Sequence, residues 1–121
     1  MKPERTSMRK VFGYALSGIA HTVRTQRNMR IHLVVAVLAL VAAAALRLTP
    51  GEWAIILICI GLVLATEMLN TAIEAIVDLN SPDIHPLAKI AKDVGAGIVL
   101  IFSFVAVAVG LVIYISAWMR F

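Results

Sequence analysis

The stretch WAIILICIGLVLATEMLNTAIEAIVD, Trp53 to Asp78, decides the fold. It carries no charge until Glu67. An apolar run of this length reads as a transmembrane helix, because about 20 helical residues cross a hydrocarbon core of about 30 Å. On that helix, offsets of 3, 7 and 11 from Glu67 place Asn70, Glu74 and Asp78 within roughly an 80° arc. The remaining faces are Met, Leu, Ala, Ile and Val. Lipid solvates those faces, but carboxylates inside a span are costly and mark function by default. The stripe therefore separates a working face from a solvated one.

Outward from this run, the composition agrees. The 121-residue chain is 61% hydrophobic with a mean hydropathy of +0.94. Soluble domains are about 45–50% apolar, so this chain needs lipid to cover its surface. A first apolar run, Ile31 to Leu46, extends upstream through Asn28 and Met29 and breaks at Pro50-Gly51. A third, Val94 to Ala117, has no charged residue. Trp53, Tyr114 and Trp118 fall near span ends, where amphipathic rings prefer to sit. Ser7 to Arg27 sets Met8, Val11, Phe12, Ala15, Ile19 and Val23 at helical spacing, with Lys10, Ser17, His21 and Arg24 on much of the other side. That is an amphipathic helix lying on the membrane surface. The expectation is a single membrane-embedded all-α domain over 1–121, with a surface helix over about 7–27 and spans over about 29–47, 53–78 and 94–117.

The net charge is +4, and seven of the eleven basic residues precede position 31: Lys2, Arg5, Arg9, Lys10, Arg24, Arg27 and Arg30. Beside a hydrophobic span this reads as a topology signal and an attraction to anionic headgroups rather than a nucleic-acid surface. The positive-inside rule puts the N-terminus and the Asn80–Asp93 loop in the cytoplasm. The chain is then a multi-pass protein of the cell membrane. Residues 1–30 hold no apolar h-region of a secretory signal. The single Cys59 excludes an internal disulfide and reads as structural.

Three carboxylates on one stripe repel one another and lose hydration. A divalent cation, cations from another helix, or protonation of one acid would each offset this. Ser81-Pro82-Asp83 reads as a turn and helix start, and His85-Pro86 precedes a short helical stretch, Leu87 to Asp93, with Lys89, Lys92 and Asp93 on one side. Carboxylates for Mg²⁺ beside lysines for phosphate suit phosphoryl transfer, and a further carboxylate can take a proton from an alcohol. There is no GxxxxGK[ST] loop or kinase-type HRD sequence. On residue chemistry alone, a proton or ion pathway stays open. His85, His32 and His21 are weak signals.

Glu67-x-x-Asn70-Thr71-Ala72-Ile73-Glu74-x-x-x-Asp78, then His85, then Ala91-Lys92-Asp93, resembles the prokaryotic integral-membrane diacylglycerol kinase family. Gly13-Tyr14 and Gly18 extend the likeness over nearly the whole chain. Arg27 to His32 and His85 to Lys89 look like its Gram-positive branch, associated with undecaprenol kinase activity. The resemblance implies a homotrimer with shared active sites, phosphorylating undecaprenol or, as the alternative acceptor, diacylglycerol. It implies Glu67 as catalytic base at the lipid hydroxyl, Glu74 as a Mg²⁺ ligand holding MgATP, and Asn70, Lys92 and Asp93 around the nucleotide. Tyr14 and the turn Asp83, Ile84, His85 match nucleotide contacts, and Trp53 a lipid-substrate position. One departure stands out: where the family places a second metal-binding glutamate, this chain has Gln26, a neutral and weaker Mg²⁺ ligand.

Overall fold

The computed structural model describes residues 7–80, 83 and 85–121. They form α1 (Met8–Thr25), α2 (Arg27–Ala45), α3 (Pro50–Asn80) and α4 (Pro86–Met119), with no strand among the described residues. Lys2, Arg5, Ser81, Pro82 and Ile84 lie outside the described residues.

Each boundary has a local cause. Ser7 caps α1, its Oγ accepting from Lys10 N–H at 3.4 Å. Gln26 then turns extended (φ −111°, ψ 112°), and this one residue ends α1 and starts α2. Arg30 Nη1 reaches back across the bend and donates to the carbonyls of Val23 and Arg24 at 2.9 Å each. These are last-turn acceptors that the helix itself leaves unpaired. At the other end of α2, Arg47 takes a left-handed conformation (φ 54°). Arg47 N–H returns to Ala44 O and Leu48 N–H to Ala43 O, both at 3.2 Å. This is a Schellman closure, and its apolar contact is between buried Leu48 and Ala43. Thr49-Pro50-Gly51-Glu52 follows as a capping box: Thr49 Oγ1 accepts from Glu52 N–H at 3.2 Å, and Glu52 Oε1 accepts from Thr49 N–H at 2.9 Å. Pro50 fits the first helical position, where its missing N–H is not needed.

At the start of α4, His85 is the cap, Nδ1 accepting from Leu87 N–H at 3.1 Å, and Pro86 opens the helix. The short stretch 87–93 and the span 94–117, separate in the sequence reading, form one 34-residue helix. Nothing between Lys92 and Gly97 removes a backbone donor, so the hydrogen-bond ladder runs straight out of the apolar region.

α2, α3 and α4 are each long and apolar enough to cross a membrane. At 31 and 34 residues, α3 and α4 extend about 46 and 51 Å and must project beyond a hydrocarbon core of about 30 Å. They run antiparallel, and an ion pair closes each end. Lys92 Nζ meets Asp78 Oδ1 at 2.6 Å at one end, and Arg120 grips Glu52 with two bonds of 2.7 and 3.0 Å at the other. Between them, Ala43, Leu48, Ile56, Ile113 and Ala117 form a buried cluster, edged by Trp53 and Tyr114. Tyr114 Oη donates to Ala39 O at 2.7 Å, tying α4 to α2. Elsewhere large apolar side chains point outward, among them Leu38, Ile101, Phe104 and Val112. Such continuous apolar surface suits lipid and not water. On α1, Met8, Phe12, Leu16 and Ile19 are likewise uncovered, as a helix bound to a membrane surface requires.

Candidate functional site

The stripe of α3 is the most polar part of the interior. Val63, Thr66, Glu67 and Asn70 are buried on the face turned toward neighbouring helices, and Glu67 is only 1% exposed. Two nearby hydroxyls are committed to their own helix: Thr66 Oγ1 donates to Val63 O at 2.8 Å, and Thr71 Oγ1 to Glu67 O at 2.9 Å. Neither can serve the Glu67 carboxylate. Glu67 Oε2 and Asn70 Oδ1 are buried with no hydrogen-bond partner. An unsatisfied buried acceptor costs about 1–3 kcal/mol, so native structures keep few of them. From another helix, His32 on α2 approaches, its Nε2 3.6 Å from Glu67 Oε2.

Asn70 Nδ2 donates to Glu74 Oε1 at 3.2 Å, one turn along the stripe. α4 passes close at this level because it presents Gly95, which has no side chain. A Cβ there would collide with Asn70 Oδ1 and lie 3.5 Å from Ile73 Cδ1. The last acid, Asp78, is exposed and paired with Lys92. That bond, more than the general field of Asp78 and Glu74, raises the Lys92 pKa and holds its ammonium charged. Lys89 pairs with Asp93 at 2.6 Å on the same helix. One cation from another helix, Lys92, thus answers the repulsion of the stripe at its exposed end. Toward the interior, one amide and one imidazole stand in their place.

Glu67, Asn70, Glu74, Asp78 and Lys92 are therefore gathered on the facing sides of α3 and α4, with Asp93 on the turn beside Lys92. The other candidates stand apart. Tyr14 is exposed on α1. Gln26 forms the α1–α2 bend, and its Nε2 donates to Thr25 Oγ1 at 3.3 Å. Asp83 is exposed, His85 is occupied as the α4 cap, and Ile84 is outside the described residues. Trp53 packs on the buried cluster at the far end, fourteen residues or about 21 Å of helix from Glu67. Cys59 lines an apolar cavity of about 260 Å³ together with Ile56, Val63, Gly110, Tyr114 and His32.

His32 is what the sequence reading undervalued. A lone histidine in an apolar helix has no periodic partner, and the only signal was its position one turn inside the basic end of the first span.

No group of three or more His, Cys, Asp or Glu side chains converges on a metal position among the described residues. Mg²⁺ needs less than that, since it keeps several waters and is bound by one or two carboxylates plus substrate phosphates. Glu74, half-buried with one oxygen held by Asn70, fits that requirement.

The family model described as prokaryotic diacylglycerol kinase matches residues 13–114. The chain belongs to the prokaryotic diacylglycerol kinase family. The matched region runs from α1 to Tyr114 and includes every residue of the α3–α4 site. Among prokaryotic diacylglycerol kinase relatives, the undecaprenol kinase of Bacillus subtilis (strain 168) is 42% identical over 106 residues, covering 88% of this chain and 86% of that protein. The diacylglycerol kinase of Escherichia coli (strain K12) is 34% identical over 102 residues, 84% of each chain. That of Synechocystis sp. is 44% identical over 100 residues, 82% of this chain and 57% of the longer relative.

Proposed function

We propose that this protein is a lipid kinase that transfers the γ-phosphoryl group of ATP to the hydroxyl of a long-chain isoprenoid alcohol, undecaprenol. The observation that carries the reading is the buried Glu67 carboxylate. It lies in an apolar span, buried and with one oxygen left without a hydrogen-bond partner. Trp53 at one interface sets the other hydrocarbon boundary about 30 Å further along α3, near Ile73; Glu67 is then about 9 Å inside it. The hydroxyl of an alcohol with a greasy tail sits near that depth, which a fully soluble acceptor alcohol does not favour. The 42% identity to an undecaprenol kinase favours the isoprenoid acceptor. The diacylglycerol kinases among the relatives support diacylglycerol as the second reading.

Glu67 takes the alcohol proton as its oxygen attacks the γ-phosphorus. The bond from that phosphorus to the bridging oxygen breaks, and ADP leaves. Lys92, kept charged by Asp78, lies at the polar end of the site and neutralises phosphate charge, with Asp93 beside it. Asn70 orients Glu74. Glu74 is the residue that would hold Mg²⁺, which when bound with ATP neutralises charge developing on the phosphates. Gln26, Tyr14, Asp83, Ile84 and His85 are nucleotide-side candidates, and Trp53 a candidate for the lipid tail. The site faces the cytoplasm of a cell membrane, where ATP is available, and the chain works as a single domain assembled into a homotrimer with shared sites.

Transfer of label from ATP to each lipid in detergent micelles tests this. Undecaprenol is the expected acceptor, and Glu67→Gln should abolish turnover in a protein that still assembles. Preference for diacylglycerol overturns the acceptor assignment. Transfer to neither lipid favours an ion- or proton-binding protein instead. Surviving turnover in Glu67→Gln removes Glu67 as the base.

A further inference from the structure

A proton taken by Glu67 is stranded. The Glu67 side chain is 2% exposed, and its neighbouring hydroxyls are bonded to backbone carbonyls. The ionisable groups that act on it are His32 on α2 and Glu74 on its own helix, and Glu74 is engaged with Asn70. Lys92 is committed to Asp78, Lys89 to Asp93, and Arg30 to the last carbonyls of α1. His32 combines contact with Glu67 and partial exposure. Its Nε2 stands 3.6 Å from Glu67 Oε2, and its side chain is 21% exposed. It also lies five residues, about 8 Å of helix, from the start of α2.

We propose that His32 is the proton relay of Glu67 and sets the orientation of its carboxylate. The proposal rests on the kinase reading above and deepens it. Oε2 is the carboxylate oxygen turned to His32. After phosphoryl transfer the proton moves from the Glu67 carboxyl to neutral His32 Nε2, giving carboxylate and imidazolium. The imidazolium then gives its proton to water at the membrane surface, and both groups return to their starting forms.

The test compares the wild-type chain, His32→Ala and His32→Gln in micelles, each confirmed as assembled and helical. A positioned proton-transfer group contributes about 10²–10⁴-fold. His32→Ala is expected to lower kcat about 100-fold, with KM for ATP and lipid changed less than about threefold. Because His32 lines the 260 Å³ cavity, the alanine variant leaves room for a free imidazole. Added imidazole should therefore restore at least about tenfold of its kcat, the gain rising with the free-base fraction. His32→Gln keeps a polar side chain beside Glu67 but cannot take up a proton and pass it on; it should be as slow and show no rescue. A kcat near wild type in either variant overturns the relay, as does a slow His32→Ala that imidazole does not restore. If His32→Ala does not assemble, full kcat in His32→Gln overturns the proposal and a slow His32→Gln with unchanged KM supports it. A wild-type chain that labels neither lipid defeats the kinase reading itself; active wild type with unaffected variants defeats only the relay.

Discussion

Replacing Gly95 by alanine should separate activity from stability in this protein. A Cβ at Gly95 collides with Asn70 Oδ1, while Asn70 Cγ and Ile73 Cδ1, both at 3.5 Å, are in ordinary van der Waals contact with it. Overpacking of this kind costs about 1–3 kcal/mol, while alanine in place of a helical glycine returns about 1 kcal/mol. The change in stability should therefore be modest. Asn70 gives way first, because its Oδ1 has no hydrogen bond to hold it. If it rotates, its 3.2 Å bond to Glu74 breaks. A hydrogen bond to a charged carboxylate is worth about 1.5–3 kcal/mol, which corresponds to roughly 10- to 100-fold in rate or affinity when that carboxylate's position matters. Initial rates over a range of ATP and Mg²⁺ concentrations, with thermal unfolding in the same detergent, read both quantities. Gly97→Ala is the control, since a Cβ there meets nothing within 4 Å in the chain. The expected pattern is a large loss of activity in Gly95→Ala, a small shift in Tm, and near-parental behaviour in Gly97→Ala. Equal activity in the two variants would refute the reasoning, because Asn70 would then have no need of the space at Gly95.

Two further outcomes follow from the ends of the bundle. Gln26→Glu should lower the Mg²⁺ concentration needed for half-maximal rate, because a carboxylate binds Mg²⁺ more strongly than an amide oxygen; unchanged Mg²⁺ dependence means position 26 is not a ligand. Glu52, outside the hydrocarbon at the opposite end, has its carboxyl held down from 4.5 to about 2, first by the hydrogen bond from Arg120 and then by Thr49 N–H. A depressed folded-state pKa stabilises above the unfolded value and is lost as pH falls through the folded one. The Tm advantage of the parent over Glu52→Gln should therefore be full above pH 4.5 and shrink toward pH 2; a gap that does not change over this range would show that the Glu52–Arg120 charge pair adds nothing.

Much of this fold was legible along the chain because its causes are local. Hydropathy marks the three spans, since lipid solvates any helix face that lacks polar groups. The stripe of Glu67, Asn70, Glu74 and Asp78 needs only the helical period, and the break after Leu46 follows from Pro50 and Gly51. The start of the last helix was harder to place. Charge ends at Asp93, which marks a membrane boundary, but backbone hydrogen bonds ignore charge and carry α4 back to Pro86.

The sequence by itself determined that Glu67 lies on an acidic face within a span, because periodicity and hydropathy are properties of neighbouring residues. Only the tertiary structure decided what that face meets. His32 reaches Glu67, Lys92 reaches Asp78, Gly95 admits Asn70, and Arg120 closes on Glu52 sixty-eight positions away. These contacts depend on how far each helix is rotated and shifted against the next. That register comes from side chains packing across the whole bundle, from the Gly95 crossing to the Ala43–Ala117 cluster, and no short window of sequence contains it.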